Sequence, residues 1–214
     1  YGLPLFLNDD EPPFPLAALK MIQLKTLLPV LHLEEFRPIL FYTPYLSYLY
    51  LPLYILYMAL AGAYFILFGG GEAAQLADYF LSDLSPFFMI ARLVSVAFGV
   101  GMVWLVYEAG GLAAGFFMAT SLLATALSMT ARHWGPLAFF IALILYFLSR
   151  EDWSAEKRYL WVAVSAGIGA GFNAVAVLGL VLAGVFYVFN DSKVRLPRRR
   201  LLAMTVIFLV LVAI

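Results

Sequence analysis

Long apolar stretches joined by very short connections constrain this chain more than any other feature of its sequence. Predominantly apolar residues cover 86–107, 112–129 and 136–149, and a fourth stretch runs from 159 to 189. The intervening connections are so short that consecutive helices must be antiparallel neighbours. With 64% hydrophobic residues, against roughly 45–50% in soluble domains, the chain is predicted to be an all-α, polytopic bundle of transmembrane helices.

Charge and cysteine content exclude several classes of function. The 13 basic and 13 acidic residues cancel, so the net charge gives no indication of a nucleic-acid partner, and none is expected. The absence of cysteine excludes disulfides, thiolate metal sites and cysteine nucleophiles. The sequence also lacks a P-loop, a Gly-x-Ser-x-Gly motif and a His-Glu-x-x-His pair, so nucleotide use and zinc or serine hydrolysis are not expected.

Residues 1–85 are predicted to form an external loop that carries interfacial or re-entrant helices. Between Pro15 and Pro29, the periodicity predicts a surface helix with Lys20 and Gln23 on its polar side. The apolar side would carry Leu16, Leu19, Ile22, Leu27 and Leu28. Residues 39–68 are apolar and rich in tyrosine, and they either span the bilayer or dip in and return. A second surface helix is predicted over 72–84.

The two chain ends suggest a fragment of a larger membrane protein. The sequence begins without methionine, and its last apolar run, 201–214, is shorter than the roughly 20 residues of a spanning helix. We therefore expect residues 1–214 to be a single transmembrane domain truncated at both ends, with transmembrane helices over 86–214.

The apolar stretch 159–189 decides the predicted topology. A single helix of this length would measure about 46 Å, against about 30 Å of hydrocarbon. The stretch is therefore either one tilted helix or a hairpin that turns near 167–173. The basic segment 193–200 is predicted to be cytoplasmic. The hairpin is favoured because it puts every candidate polar group on the non-cytoplasmic face of the membrane. This holds provided that residues 39–68 do not cross the bilayer.

An acidic cluster near the amino terminus is the strongest candidate for chemistry. Asp9, Asp10 and Glu11 are adjacent, in a chain of which only 12% is charged. Three carboxylates cannot lie in hydrocarbon, so they face water or a cation. The cluster is either a solvated acidic loop or part of a functional site.

The order of four segments resembles the GT-C fold of membrane glycosyltransferases, the group of protein O-mannosyltransferases and aminoarabinose transferases. The segments are 2–12, which ends in the acidic cluster, 91–107, 128–134 and the glycine-rich 166–177. In that family an Asp-Glu pair follows the first transmembrane helix, and the match falls on Asp10 and Glu11. The chain has Arg132 and His133 where the family often has an acid, and Asn173 where it often has a lysine.

The resemblance implies transfer of a sugar from a polyprenyl-phosphate donor to a lipid, glycan or protein acceptor. The reaction would take place on the external face of a bacterial or archaeal cell membrane. Asp10 would be the catalytic base, with Glu11 or Asp9 positioning it or binding a divalent cation, although no cofactor is required. Arg92 and Arg132 would bind the anionic headgroup, and Asp9, His133 and Asn173 complete the predicted substrate-binding residues. Alternatively, Arg92 extends to the interface and His133 is an interfacial residue.

Two other classes of function remain open. A lipid or anion transporter, or flippase, would show inverted repeats and charged residues in mid-span, and neither is clear in this sequence. In a non-catalytic membrane subunit, the acidic cluster would be only a docking surface.

Overall fold

The computed structural model describes residues 12–27, 29–39, 48–67, 84–191 and 197–213. All regular structure within these ranges is helical, which confirms the all-α prediction. The α-helices are α1 (Pro13–Leu24), α2 (Leu33–Phe36), α3 (Tyr50–Leu67), α4 (Ser85–Thr120), α5 (Leu122–Ser128), α6 (Trp134–Ser149), α7 (Ala155–Phe172), α8 (Leu178–Phe186) and α9 (Arg198–Ala213). The predicted surface helix over 72–84 lies outside the described residues, apart from its last residue.

The chain divides into two compact units. The amino-terminal unit comprises Tyr1–Val96 and Met129–Arg132, and the carboxy-terminal unit comprises Ala97–Ser128 and His133–Ile214. Helix α4 therefore begins in the first unit and continues in the second.

In the amino-terminal unit, α1 packs against α3. The ring centroids of Phe14 and Tyr50 are 6.0 Å apart. The buried side chains of α1 are spaced three and four residues apart and include Phe14, Ala17, Ala18 and Met21. Leu16, Leu19 and Ile22, on the side predicted to face the membrane, are half-buried. The alanines determine the orientation, since small side chains let two helices approach closely.

In the carboxy-terminal unit, a glycine reverses the direction of α4. Gly111 has φ 77° and ψ −173°, a conformation that residues with a side chain rarely adopt. A Cβ atom on Gly115 would lie 2.8 Å from Tyr107 Cβ, and one on Gly99 would overlap Ser128. Residues 97–110 and 112–128 are therefore antiparallel neighbours, as their short connection predicts.

The chain reverses again after α6 and after α7. Arg158 of α7 donates a hydrogen bond to the Leu148 carbonyl near the end of α6, at 3.4 Å. Tyr159 near the start of α7 lies beside Tyr187, with ring centroids 5.7 Å apart. The apolar stretch 159–189 is therefore a hairpin, as the favoured topology requires.

Helix α9 runs parallel to α7. Near the start of the two helices, Arg200 forms an ion pair with Glu156 at 3.4 Å. Near their ends, a Cβ atom on Gly167 would lie 2.8 Å from Leu211 Cβ. The first turns of α7 and α9 therefore lie at the same end of the unit.

Within the described ranges, two helices, α3 and α4, are long and apolar enough to cross a membrane, judged by length and composition. Large apolar side chains are also highly exposed on α3, α4 and α5. They include Ile66 at 80%, Leu112 at 79%, Phe117 at 73% and Leu122 at 88%. Extensive apolar surface is uncommon on soluble monomers and fits contact with a membrane.

Candidate functional site

The predicted acidic residues Asp9, Asp10 and Glu11 lie outside the described residues. The described chain starts at Pro12, directly before α1. Phe14, in the first turn of α1, is fully buried and in ring contact with Tyr50 at the start of α3. The segment that carries the acidic residues is therefore followed at once by a helix anchored in the amino-terminal unit.

Arg92 and Ser95 lie one turn apart on the part of α4 that belongs to the amino-terminal unit. Residues three apart share one side of a helix. Arg92 is half-buried, whereas Ser95 is fully buried. Ser95 Oγ has no hydrogen-bond partner among the described residues. A buried hydroxyl without a partner is costly.

Arg132 lies in the turn between α5 and α6. Its backbone N–H donates to the Thr130 carbonyl at 2.8 Å, and the preceding Ala131 is fully buried. Burial lowers the pKa of the Arg132 guanidinium from its usual value. Residues 129–132 belong to the amino-terminal unit, although the helices on both sides of them belong to the carboxy-terminal unit. Arg92 and Arg132 are thus brought into one unit across 40 positions of sequence.

His133 is buried at the start of α6. Its side chain and backbone together are 6% exposed. The His133 carbonyl accepts a hydrogen bond from Leu137 N at 3.0 Å, in the first turn of the helix. Its ring centroid lies 4.7 Å from that of Trp134. The structure therefore gives His133 a position within the packing of the carboxy-terminal unit.

Asn173 reverses the chain between α7 and α8. Its backbone is extended, with φ −158° and ψ 128°, and its N–H donates to the Gly169 carbonyl at 2.9 Å. The side-chain Oδ1 accepts a hydrogen bond from Val175 N, also at 2.9 Å. Since Asn173 is 2% exposed, its side-chain oxygen is occupied by a cap in the interior. Asn173 therefore has a structural role, whereas only a contact with substrate was predicted from the sequence.

We expect Asn173→Ala to lower the free energy of unfolding by about 1 kcal/mol, because the Val175 N–H loses its side-chain acceptor. The melting temperature in detergent should fall by about 2–4 °C. Asn173→Ser keeps an oxygen acceptor and should recover most of the loss. Equal stability of the alanine variant and the unmodified protein would show that the cap contributes nothing.

The opposite end of α6 carries a paired arginine. Arg150 donates to both Asp152 carboxylate oxygens, at 2.7 and 2.6 Å, and to the Tyr146 hydroxyl at 2.7 Å. The hydrogen bond from Arg150 lowers the pKa of Asp152. Arg150 therefore has its counterion in place, and it is a suitable reference for Arg132.

Sequence reasoning missed Arg158, which is 8% exposed in the carboxy-terminal unit. Its guanidinium lies 5.8 Å from the centre of the Phe186 ring. The signal was present in the spacing, because Arg158 lies four residues before the buried Val162, on the apolar side of α7.

No group of three or more potential metal ligands occurs among the described residues. The possible divalent cation therefore remains a prediction for the acidic cluster.

Taken together, the described residues form an all-helical protein with two helices that could cross a membrane. No protein-family model, curated protein or solved structure matches the chain.

Proposed function

We propose that the chain is part of a polytopic integral membrane glycosyltransferase of the GT-C type. It would transfer a sugar from a polyprenyl-phosphate donor to an acceptor on the non-cytoplasmic face. The observation that carries the proposal is the grouping of residues 129–132 with the amino-terminal unit. This grouping places Arg132 in the same unit as Arg92 and as the helix that follows the acidic cluster.

The order of the helices supports this assignment of faces. The first turns of α7 and α9 share one end of the carboxy-terminal unit, and the basic segment 193–200 indicates that this end is cytoplasmic. Helix α6 is antiparallel to α7, so α6 begins at the non-cytoplasmic end. Arg132, directly before α6, then lies on the face where the resemblance expects the reaction.

A contact within the amino-terminal unit supports an interfacial or re-entrant α3. Tyr57, in the middle of α3, donates a hydrogen bond to the Phe87 carbonyl in the first turn of α4, at 2.8 Å. Residues 85–110 of α4 measure roughly 40 Å, enough to cross about 30 Å of hydrocarbon. A helix whose middle meets the end of a crossing helix is centred near the membrane surface. If α3 does not cross, counting the helices back from α4 would put the acidic cluster on the same membrane face as Arg132, as the proposal requires.

The proposed chemistry needs a base and positive groups. Asp10 would take the proton from the acceptor hydroxyl, and Glu11 or Asp9 would position Asp10 or hold a cation. The phosphate that leaves with the lipid becomes more negative as its bond to the sugar breaks, so guanidinium groups stabilise it. The partly buried Arg132 is suited to this role, because a charge with little water around it interacts more strongly with an anion.

Thermal unfolding of the full-length protein with and without a polyprenyl-phosphate sugar tests the proposed function. We expect the donor to raise the melting temperature. Arg132→Gln should weaken donor binding by about tenfold to a hundredfold, since a charge-assisted hydrogen bond is lost. Arg150→Gln is the matched control at the other end of α6, and it should leave donor affinity unchanged.

The outcomes separate the three classes of function. A donor that neither stabilises the protein nor is consumed would favour a non-catalytic subunit. Stabilisation with counterflow of the lipid in liposomes, and no transfer to any acceptor, would favour a transporter.

A further inference from the structure

An open apolar groove of about 330 Å³ lies between α7, α8 and α9 in the carboxy-terminal unit. Side chains from all three helices line it, among them Tyr159, Ala183, Leu201, Met204 and Phe208. Gly184 also lines the groove, and no atom lies within 4 Å of a Cβ atom built there. The volume is at the lower end of the roughly 300–1,000 Å³ range of ligand pockets.

A polar pocket of about 270 Å³ adjoins this groove, and Met204 lines both. Glu156 and Lys157 of α7 and Arg200 of α9 contribute its charged side chains. Because α7 and α9 are parallel and both begin here, the partial positive charges of their first turns add to those of the two basic side chains.

The charges around the polar pocket favour an anion. Lys157 Nζ lies 3.6 Å above the centre of the Trp153 ring and forms no ion pair with any described carboxylate. Glu156 is the one carboxylate among the described lining residues, and it pairs with Arg200. This pair is 3.4 Å long and its side chains are 62% and 41% exposed, so it stabilises the protein little. An incoming anion can therefore replace Glu156 at small cost.

We propose that the groove and the polar pocket together bind one anionic phospholipid. An acyl chain occupies the apolar groove, and the phosphate lies between Lys157 and Arg200. A free phosphate would leave the groove empty, and a lipid without net charge would bring no net negative charge to Lys157, which has no ion pair with a described carboxylate. The site lies at the end marked as cytoplasmic by the basic segment 193–200, so it is separate from the proposed transfer reaction.

Lipid titrations of the full-length protein in detergent test the headgroup. Dioleoyl phosphatidylglycerol should raise the melting temperature at lower concentration than dioleoyl phosphatidylcholine, and native mass spectrometry should show one retained lipid. Lys157→Gln and Arg200→Gln should each weaken phosphatidylglycerol binding about fivefold. Arg199→Gln is the matched control, since Arg199 is exposed in the same turn but does not line the pocket.

A second pair of variants tests the groove. Gly184→Leu places a large side chain in the groove, so this variant should lose the retained lipid. The variant should still fold, because no atom lies within 4 Å of a Cβ atom at this position. Gly62→Leu, at an equally open glycine of α3 in the other unit, should keep it.

Four results would overturn the proposal. These are equal binding of the two lipids, an equal loss of affinity in the Arg199 variant, retention of the lipid by Gly184→Leu, and stabilisation by inorganic phosphate alone that matches the lipid. The Arg199 result would indicate diffuse attraction to a basic surface, and the phosphate result would indicate a small-anion site.

Discussion

Replacement of Asp10 by asparagine is expected to lower transferase turnover by about a hundredfold to ten-thousandfold, the usual contribution of a general base. Asparagine has nearly the same shape as aspartate but cannot accept the proton of the acceptor hydroxyl. Donor binding should persist, because the proposed phosphate contacts come from Arg92 and Arg132. The measurement is turnover in membranes that contain equal amounts of the two proteins, together with donor-dependent thermal stabilisation.

Glu34→Gln is the control for Asp10→Asn, because it also removes one carboxylate from the amino-terminal region. Glu34 pairs with Arg37 at 3.3 Å, and both side chains are at least 80% exposed. Such a pair contributes little to stability. Turnover should therefore be normal in this variant. Undiminished turnover in Asp10→Asn would remove Asp10 from the mechanism, and equal losses in both variants would indicate a general effect of charge.

Gly169→Ala is expected to lower the free energy of unfolding by about 1–3 kcal/mol, through overpacking. The new Cβ atom would lie 2.9 Å from Phe140 Cβ and 3.0 Å from Ala176 Cβ. Both contacts are with atoms fixed directly to the backbone, so the side chains cannot rotate away. The melting temperature should fall by about 2–4 °C for each kcal/mol.

Gly184→Ala provides the opposite case on α8. No atom lies within 4 Å of the added Cβ, and alanine favours helix over glycine by up to about 1 kcal/mol. This variant should therefore melt at the same temperature or higher. Thermal shifts of equal sign and size in the two variants would contradict the packing at Gly169.

The helices after residue 85 could be predicted with fair accuracy because local signals mark their ends. The stretch 86–107 corresponds to the first part of α4, and 112–129 to its second part together with α5. The stretch 136–149 corresponds to α6. Gly111 and the polar turn at 129–133 separate them. A helix between Pro15 and Pro29 was predicted, but the burial of Ala17 and Ala18 was not, because the periodicity of large apolar residues ignores the close approach that alanine allows.

The turn within 159–189 could not be decided by hydropathy, since both helices of the hairpin are apolar. It depends on the cap at Asn173 and on the close packing at Gly169, which are details of a few atoms. The prediction placed the turn near 167–173, whereas α7 continues to Phe172.

Asp10 could be proposed as a base from the sequence because it belongs to a short local motif. The groove could not be predicted in this way. Tyr159, Ala183 and Met204 are far apart in the chain, and they line one groove only because α9 returns beside α7. No local pattern encodes that return. The burial of Arg158 could have been predicted from its spacing to Val162. It was missed because a charged residue directly before an apolar stretch is usually taken as the boundary of that stretch.

The parallel pairing of α7 with α9 also affects the order of folding. Helices α6 and α7 meet after a short turn, whereas α9 can meet α7 only after α8 has carried the chain back along it. Closing a longer loop costs more entropy, so we expect α9 to pack onto α7 later than α6 does. Since the groove forms only when α9 packs beside α7 and α8, a molecule that fills it holds α9 in place and stabilises the carboxy-terminal unit.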